Sequence, residues 1–141
     1  YDPNYFDITR ISLDEIFTES LFESNVFKSR ACRLRINLNE KDESNKPIHV
    51  KLVDINSEVA FEMPTINYAD NNTLPYKYFY GVNFFYSYPF SVVKIDADTG
   101  ECKRFLFDKD DEKYLPGEPV FVKNPNGTSE DDGVLLVLVL S

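Results

Sequence analysis

The chain has 141 residues, 43% of them hydrophobic and 15% aromatic, and a formal net charge of −9. Such a supply of core formers excludes a disordered segment. An acidic balance without a block of Lys or Arg excludes a nucleic-acid partner. No apolar stretch reaches the roughly 20 residues that a membrane helix needs. Twelve Phe and nine Tyr against five Gly favour sheets over helices.

Taken in chain order, the first signal is helical. Ser12-Leu13-Asp14-Glu15 has the form of a capping box, and Ile11 and Ile16 stand at the two positions of a hydrophobic staple. Leu13, Phe17 and Leu21 then repeat every four residues, which predicts a short surface helix with one apolar face and a structural role. From Ala31 the period changes to two. Cys32, Leu34, Ile36 and Leu38 alternate with Arg33, Arg35 and Asn37, the pattern of a half-exposed strand. A polar loop over 39–47 leads to Ile48, Val50 and Leu52, which alternate with His49 and Lys51 and complete a hairpin. Residues 77–83 read as an aromatic strand. Residues 91–96 and 101–107 read as two strands around Asp96-Ala97-Asp98-Thr99-Gly100, whose Asp and Gly suit a turn with one residue at positive φ. Short strands follow over 119–123 and 134–140. The whole is all-β: a sandwich, barrel or propeller.

Two features of the ends point to a larger protein. The chain starts Tyr1-Asp2-Pro3 and stops in an apolar run over 134–140, and a central strand of that kind needs neighbours on both sides. Both ends therefore read as cuts. Cys32 and Cys102 are far apart and form no CxxC pair, so reduced thiols in an intracellular protein are favoured over a disulfide. The sequons at Asn71 and Asn126 stand at the level that chance supplies and say little about secretion.

Residues able to do chemistry are few. His49 is the single histidine, on the polar face of a hairpin strand, where a surface role outweighs a ligand role. No Gly-rich phosphate loop and no GxSxG occur. Glu130-Asp131-Asp132-Gly133 lacks the alternating ligands and distal Glu of a calcium loop and reads as a solvated turn before a strand. Two glutamates stand out in apolar surroundings: Glu62 in Phe61-Glu62-Met63-Pro64, and Glu118 in Pro116-Gly117-Glu118-Pro119-Val120-Phe121-Val122. Pro119 confines the backbone of Glu118 to the extended region and so aims its side chain. Either these carboxylates are buried against partners that the chain does not contain, or they occupy the outward face of an edge strand.

Four separated segments decide the family resemblance. Ala60-Phe61-Glu62-Met63-Pro64-Thr65-Ile66-Asn67-Tyr68, Tyr80-Gly81, Gly117-Glu118-Pro119-Val120-Phe121-Val122 and Glu130-Asp131-Asp132-Gly133-Val134-Leu135-Leu136 keep their order and spacing. Together they resemble the C-terminal part of the carotenoid cleavage oxygenases, a family that includes the retinoid isomerase of the retinal pigment epithelium. The match covers about residues 60–141 and extends weakly upstream. A connection between Val53 and Ala60 that reads as short, and Val137 in place of a small polar residue, are departures from the pattern.

The resemblance implies an all-β fold, a partial seven-bladed β-propeller of about two blades, with residues 1–141 forming one incomplete domain that carries the short helix. It implies ferrous iron on the propeller axis, held by four histidines that lie outside this chain, since His49 matches none of them. It implies that Glu62 and Glu118 accept the far N–H of iron-bound histidines, an arrangement that fixes tautomer and ring orientation. The implied activity is insertion of dioxygen across a double bond of a carotenoid or apocarotenoid. The alternatives are a retinoid isomerohydrolase of the same fold using iron as a Lewis acid, and a non-catalytic binding propeller. The chain alone is expected to bind no iron and to be inactive. The parent is expected in the cytoplasm, with peripheral membrane contact or a mitochondrial location as alternatives suited to lipid-soluble carotenoid or retinoid substrates.

Overall fold

The computed structural model describes residues 29–46, 50–83, 90–106 and 114–140. The helix expected over 12–21 and His49 lie outside these residues. Strand β1 (Arg30–Ile36) pairs antiparallel with β2 (Val50–Ala60), Leu34 opposite Leu52, as the alternation predicts. β2 is longer than its apolar pattern. Residues 53–60, read as a connection, continue the strand through Asn56 and Glu58, and the register shifts twice between Arg30 and Cys32. Asn56 is tolerated there because its amide is used. Its Nδ2 donates to the carbonyl of Gly100 at 2.9 Å, and its Oδ1 accepts the N–H of Glu58 and Val59 at 3.0 and 3.2 Å.

The centre of the structure is a four-stranded antiparallel meander in the order β3-β4-β5-β6. Its strands are β3 (Glu62–Thr65), β4 (Tyr78–Asn83), β5 (Ser91–Asp96) and β6 (Cys102–Leu106). β5 is buried on both faces except at Lys94, which suits its near-continuous apolar run. One core cluster gathers Phe61, Phe79, Val93 and Ile95, with Phe61 edge-on to Phe79 at 5.1 Å. A second gathers Val82, Phe90 and Val92, and Leu115, Leu135 and Val137 pack against it. The turn from β5 to β6 is the one its residues demand. Asp96 accepts the N–H groups of Asp98 and Thr99 at 2.9 and 3.0 Å, and Gly100 sits at φ 75°, a conformation costly for any residue with a Cβ.

Beyond the meander come β7 (Leu115–Pro116), β8 (Val120–Lys123), β9 (Gly133–Leu136) and β10 (Val139–Leu140). The final apolar run, read as one strand, is two. β9 pairs with β8, whereas β10 pairs with β7. Pro119 offers no N–H to a ladder, so the pairing breaks between β7 and β8. The opposite chain crosses over at Val137 and Leu138, where the carbonyl of Leu138 accepts the N–H of Gly117 at 2.8 Å.

Among the described residues the only helix is α1 (Tyr68–Asn71), a single turn too short to leave a periodic pattern in the sequence. No helix there is long and apolar enough to cross a membrane. Cys32 and Cys102 are separate thiols.

Candidate functional site

Glu62 opens β3 at the edge of the meander, directly opposite Val82 on β4, and Thr65 stands opposite Tyr80. Three residues on β3 therefore span two on β4. The extra residue is absorbed by Met63, which takes φ 51°, and by Pro64, which has no N–H to leave unpaired. A bulge of this kind re-aims the neighbouring side chain. Gly81 makes the close approach possible. A Cβ on it would lie 2.5 Å from both the carbonyl oxygen of Glu62 and the ring of Phe61. The Tyr80-Gly81 motif is thus the notch into which the Phe61-Glu62 segment fits. Glu62 itself is half-buried and lines a cleft of about 410 Å3 with Ala31, Ile55, Phe61 and Tyr76.

Glu118 lies between β7 and β8 and is exposed. Its backbone is nonetheless fixed, because Pro116 and Pro119 on either side are fully buried and Gly117 is tied to Leu138.

Stacking of β8 on β4 brings the segments that bear Glu62 and Glu118 to the Val82 end of β4. The rings of Tyr80 and Phe121 stack at 5.2 Å with an interplanar angle of 17°. One same-face step along β4 leads from Tyr80 to Val82, the partner of Glu62. The matching step along β8 leads from Phe121 to Pro119, beside Glu118. Leu115 and Val137, which flank the Glu118 segment, pack on the Val82 cluster. Burial, and then the Asp131 and Glu130 carboxylates, push the Tyr80 phenol up, so this ring stays neutral and serves as packing. An apolar cleft of about 470 Å3 runs beside it, lined by Val92, Phe105, Phe121, Leu135 and Val137.

At the other end of the same strands lies an arrangement of acids that the sequence reading passed over. Glu130-Asp131-Asp132 is the turn before β9 that the sequence predicts, but its half-buried acids also bond, and Glu130 and Asp131 clasp the meander. Oε1 of Glu130 accepts the N–H groups of Lys77 and Tyr78 at 2.8 and 2.7 Å, and Oε2 accepts that of Lys77 at 2.9 Å. Asp131 is ion-paired with Lys94, and that bond holds its carboxyl below the usual carboxylate range. Asp132 Oδ1 accepts from Asn124 at 3.1 Å. Lys123 of β8 pairs with Asp70 of α1 at 2.8 Å and lowers the Asp70 carboxyl in the same way. The only sequence signal for this clasp was that Asn67, Gly81 and Glu130 all fell within the four spaced segments.

Neither Glu62 nor Glu118 has a hydrogen-bond or ion-pair partner among the described residues. Those residues also contain no group of three or more His, Cys, Asp or Glu able to hold a metal ion. Two carboxylates whose acceptor oxygens have no partner among the described residues, on backbone held by a bulge and by buried prolines, suit the N–H of imidazoles that hold a metal.

The sequence model of the retinal pigment epithelial membrane protein family (RPE65) matches residues 2–141. The chain belongs to that family. Among its relatives, the carotenoid isomerooxygenase of Galleria mellonella is 32% identical over 96% of this chain and 25% of that protein. The torulene dioxygenase of Fusarium fujikuroi is 37% identical over 64% of this chain and 15% of that protein. Of solved structures, the cobalt-substituted apocarotenoid oxygenase of Synechocystis is similar at a TM-score of 0.60 and 25% identity, over 78% of this chain and 21% of that one. The chain thus spans a quarter or less of the length of these relatives. The meander β3–β6 is a blade of the β-propeller that the RPE65 family shares, and β7–β10 stack on it.

Proposed function

We infer that the full-length protein is a non-haem iron(II) dioxygenase that cleaves one conjugated double bond of a carotenoid or apocarotenoid, with Glu62 and Glu118 accepting hydrogen bonds from iron-bound histidines. The observation that supports this most is that, in a member of this family, the segments bearing Glu62 and Glu118 meet at the Val82 end of β4 and neither carboxylate has a partner among the described residues. Each carboxylate would fix the tautomer of one imidazole, hold its ring plane and raise its basicity. Iron(II), held by histidines that Glu62 and Glu118 would orient, would supply the dioxygen chemistry of the cleavage, giving two carbonyl products.

The name of the Galleria relative favours a second reading, in which isomerisation of the polyene accompanies its cleavage. Product analysis under labelled dioxygen separates the two. Label in both carbonyl products with retained double-bond geometry supports cleavage alone, and altered geometry supports the second reading. The role of the glutamates is tested by Glu62→Gln and Glu118→Gln in the full-length protein, measuring iron content and polyene turnover. Each is expected to lower iron affinity about 10–100-fold. Wild-type iron content and turnover in both variants would remove the assignment.

A further inference from the structure

Glu130 grips both ends of the connection that separates β3 from β4. Its carboxylate holds the first two N–H groups of the entry into β4, at Lys77 and Tyr78. Its main-chain carbonyl accepts Nδ2 of Asn67 at 3.0 Å, two residues after the end of β3. Asn67 is 1% exposed, so this grip is not open to exchange with solvent. Glu130 also lies three residues before β9, which is paired to β8, the strand that follows Glu118. One residue, in the connection of the hairpin that follows Glu118, therefore touches the segment just after the strand that bears Glu62 and the start of the strand opposite it. From this clasp, β4 and β8 run together through the Tyr80–Phe121 stack to the end that carries the Glu62 and Glu118 segments.

The geometry points to Glu130 as a positioning residue for the metal centre: it sets the relative height of the Glu62 and Glu118 segments and so the aim of both carboxylates. This rests on the assignment of those two glutamates to metal-bound imidazoles. Three charge-assisted contacts to backbone N–H groups from one carboxylate are stronger and more directional than an ordinary surface pair. A slip of β8 against β4 would displace Glu118 relative to Glu62, and metal affinity depends on partners of this kind by an order of magnitude or more. The adjacent Lys123–Asp70 pair joins the same elements but bonds no backbone group, so it resists separation without setting register.

The test uses the full-length protein loaded with cobalt(II), reading metal affinity and the visible d–d absorption, which reports ligand geometry. Glu130→Ala is expected to weaken metal binding about tenfold and to shift the absorption in the same direction as Glu62→Gln. Glu130→Gln keeps one acceptor oxygen and is expected to recover most of both. Lys123→Ala, which leaves the Asn67 contacts in place, is expected to leave affinity and spectrum unchanged while lowering the melting temperature. If Glu130→Ala fails to fold, Glu130→Asp, one methylene shorter, is expected to give the shifted spectrum. Wild-type affinity and spectrum in the folded Glu130 variants, with Glu62→Gln impaired, overturn the positioning role and leave the glutamate assignment intact. Wild-type metal binding in both Glu62→Gln and Glu118→Gln overturns the assignment, and the positioning role with it.

Discussion

A single missing Cβ decides how near β3 comes to β4. At Gly81, any side chain would meet the Glu62 carbonyl and the Phe61 ring at 2.5 Å, and neither can retreat: one is main chain in a bulge, the other belongs to the core. Gly81→Ala is therefore expected to cost about 1–3 kcal/mol and to weaken iron binding by displacing Glu62. Denaturation and iron content of the full-length variant check this, and wild-type behaviour in both would contradict it. The importance of Tyr80-Gly81 was legible as a motif, but its cause was not, because the obstructing atoms lie nineteen and twenty positions away in sequence. Gly100 was fully legible. Its turn is local, so Asp96, Thr99 and the glycine itself carry the whole signal.

Strands with clean alternation or aromatic enrichment, β1, β4, β5 and β6, follow from sequence almost to the residue. Failures share one physical reason: partner choice overrode local pattern. β2 continues through Asn56 because a carbonyl of the next sheet satisfies its amide. β3 was hidden by Pro64, which is tolerated in a bulge on an edge strand. The last apolar run divides because Pro119 interrupts the ladder facing it. The clasp was missed because acidic runs are usually solvated, whereas here Glu130 and Asp131 meet donors from the distant meander and Asp132 meets Asn124 in its own loop. Those pairings make stability depend on pH. The Asp131 and Asp70 carboxyls are lowered in the folded protein, first of all by hydrogen bonds from Lys94 and Lys123. A depressed folded pKa contributes stability that is present above the unfolded carboxylate value and is lost as pH falls through the folded one. The melting temperature of the full-length protein is thus expected to drop as pH falls below about 4, with a shallower slope in Asp131→Asn. An equal slope in variant and wild type would contradict the clasp's share in it.

At the scale of the molecule, all-β character was plain from composition, whereas a propeller blade became visible only through the spaced motifs and the meander order. Large apolar side chains remain uncovered on one face of β8 and β9, at Val120, Val122, Val134 and Leu136, and along β1 at Leu34 and Ile36. Patches of that kind associate in water. The 141-residue chain expressed alone is expected to bind a hydrophobic dye and to self-associate, which dye fluorescence and size-exclusion chromatography report; a dye-silent monomer would contradict the exposure described. Glu62 and Glu118 are conspicuous in sequence as acids in apolar segments, whereas the meeting of their segments at one end of β4 needed the Tyr80–Phe121 stack to be seen. The most direct test of their role is a crystal structure of the full-length protein with iron bound. The account predicts a carboxylate oxygen of Glu62 and one of Glu118 each about 2.7–3.2 Å from the distal nitrogen of a different iron-bound histidine. Iron-bound histidines whose distal nitrogens are bonded elsewhere, with both carboxylates facing solvent, would contradict it.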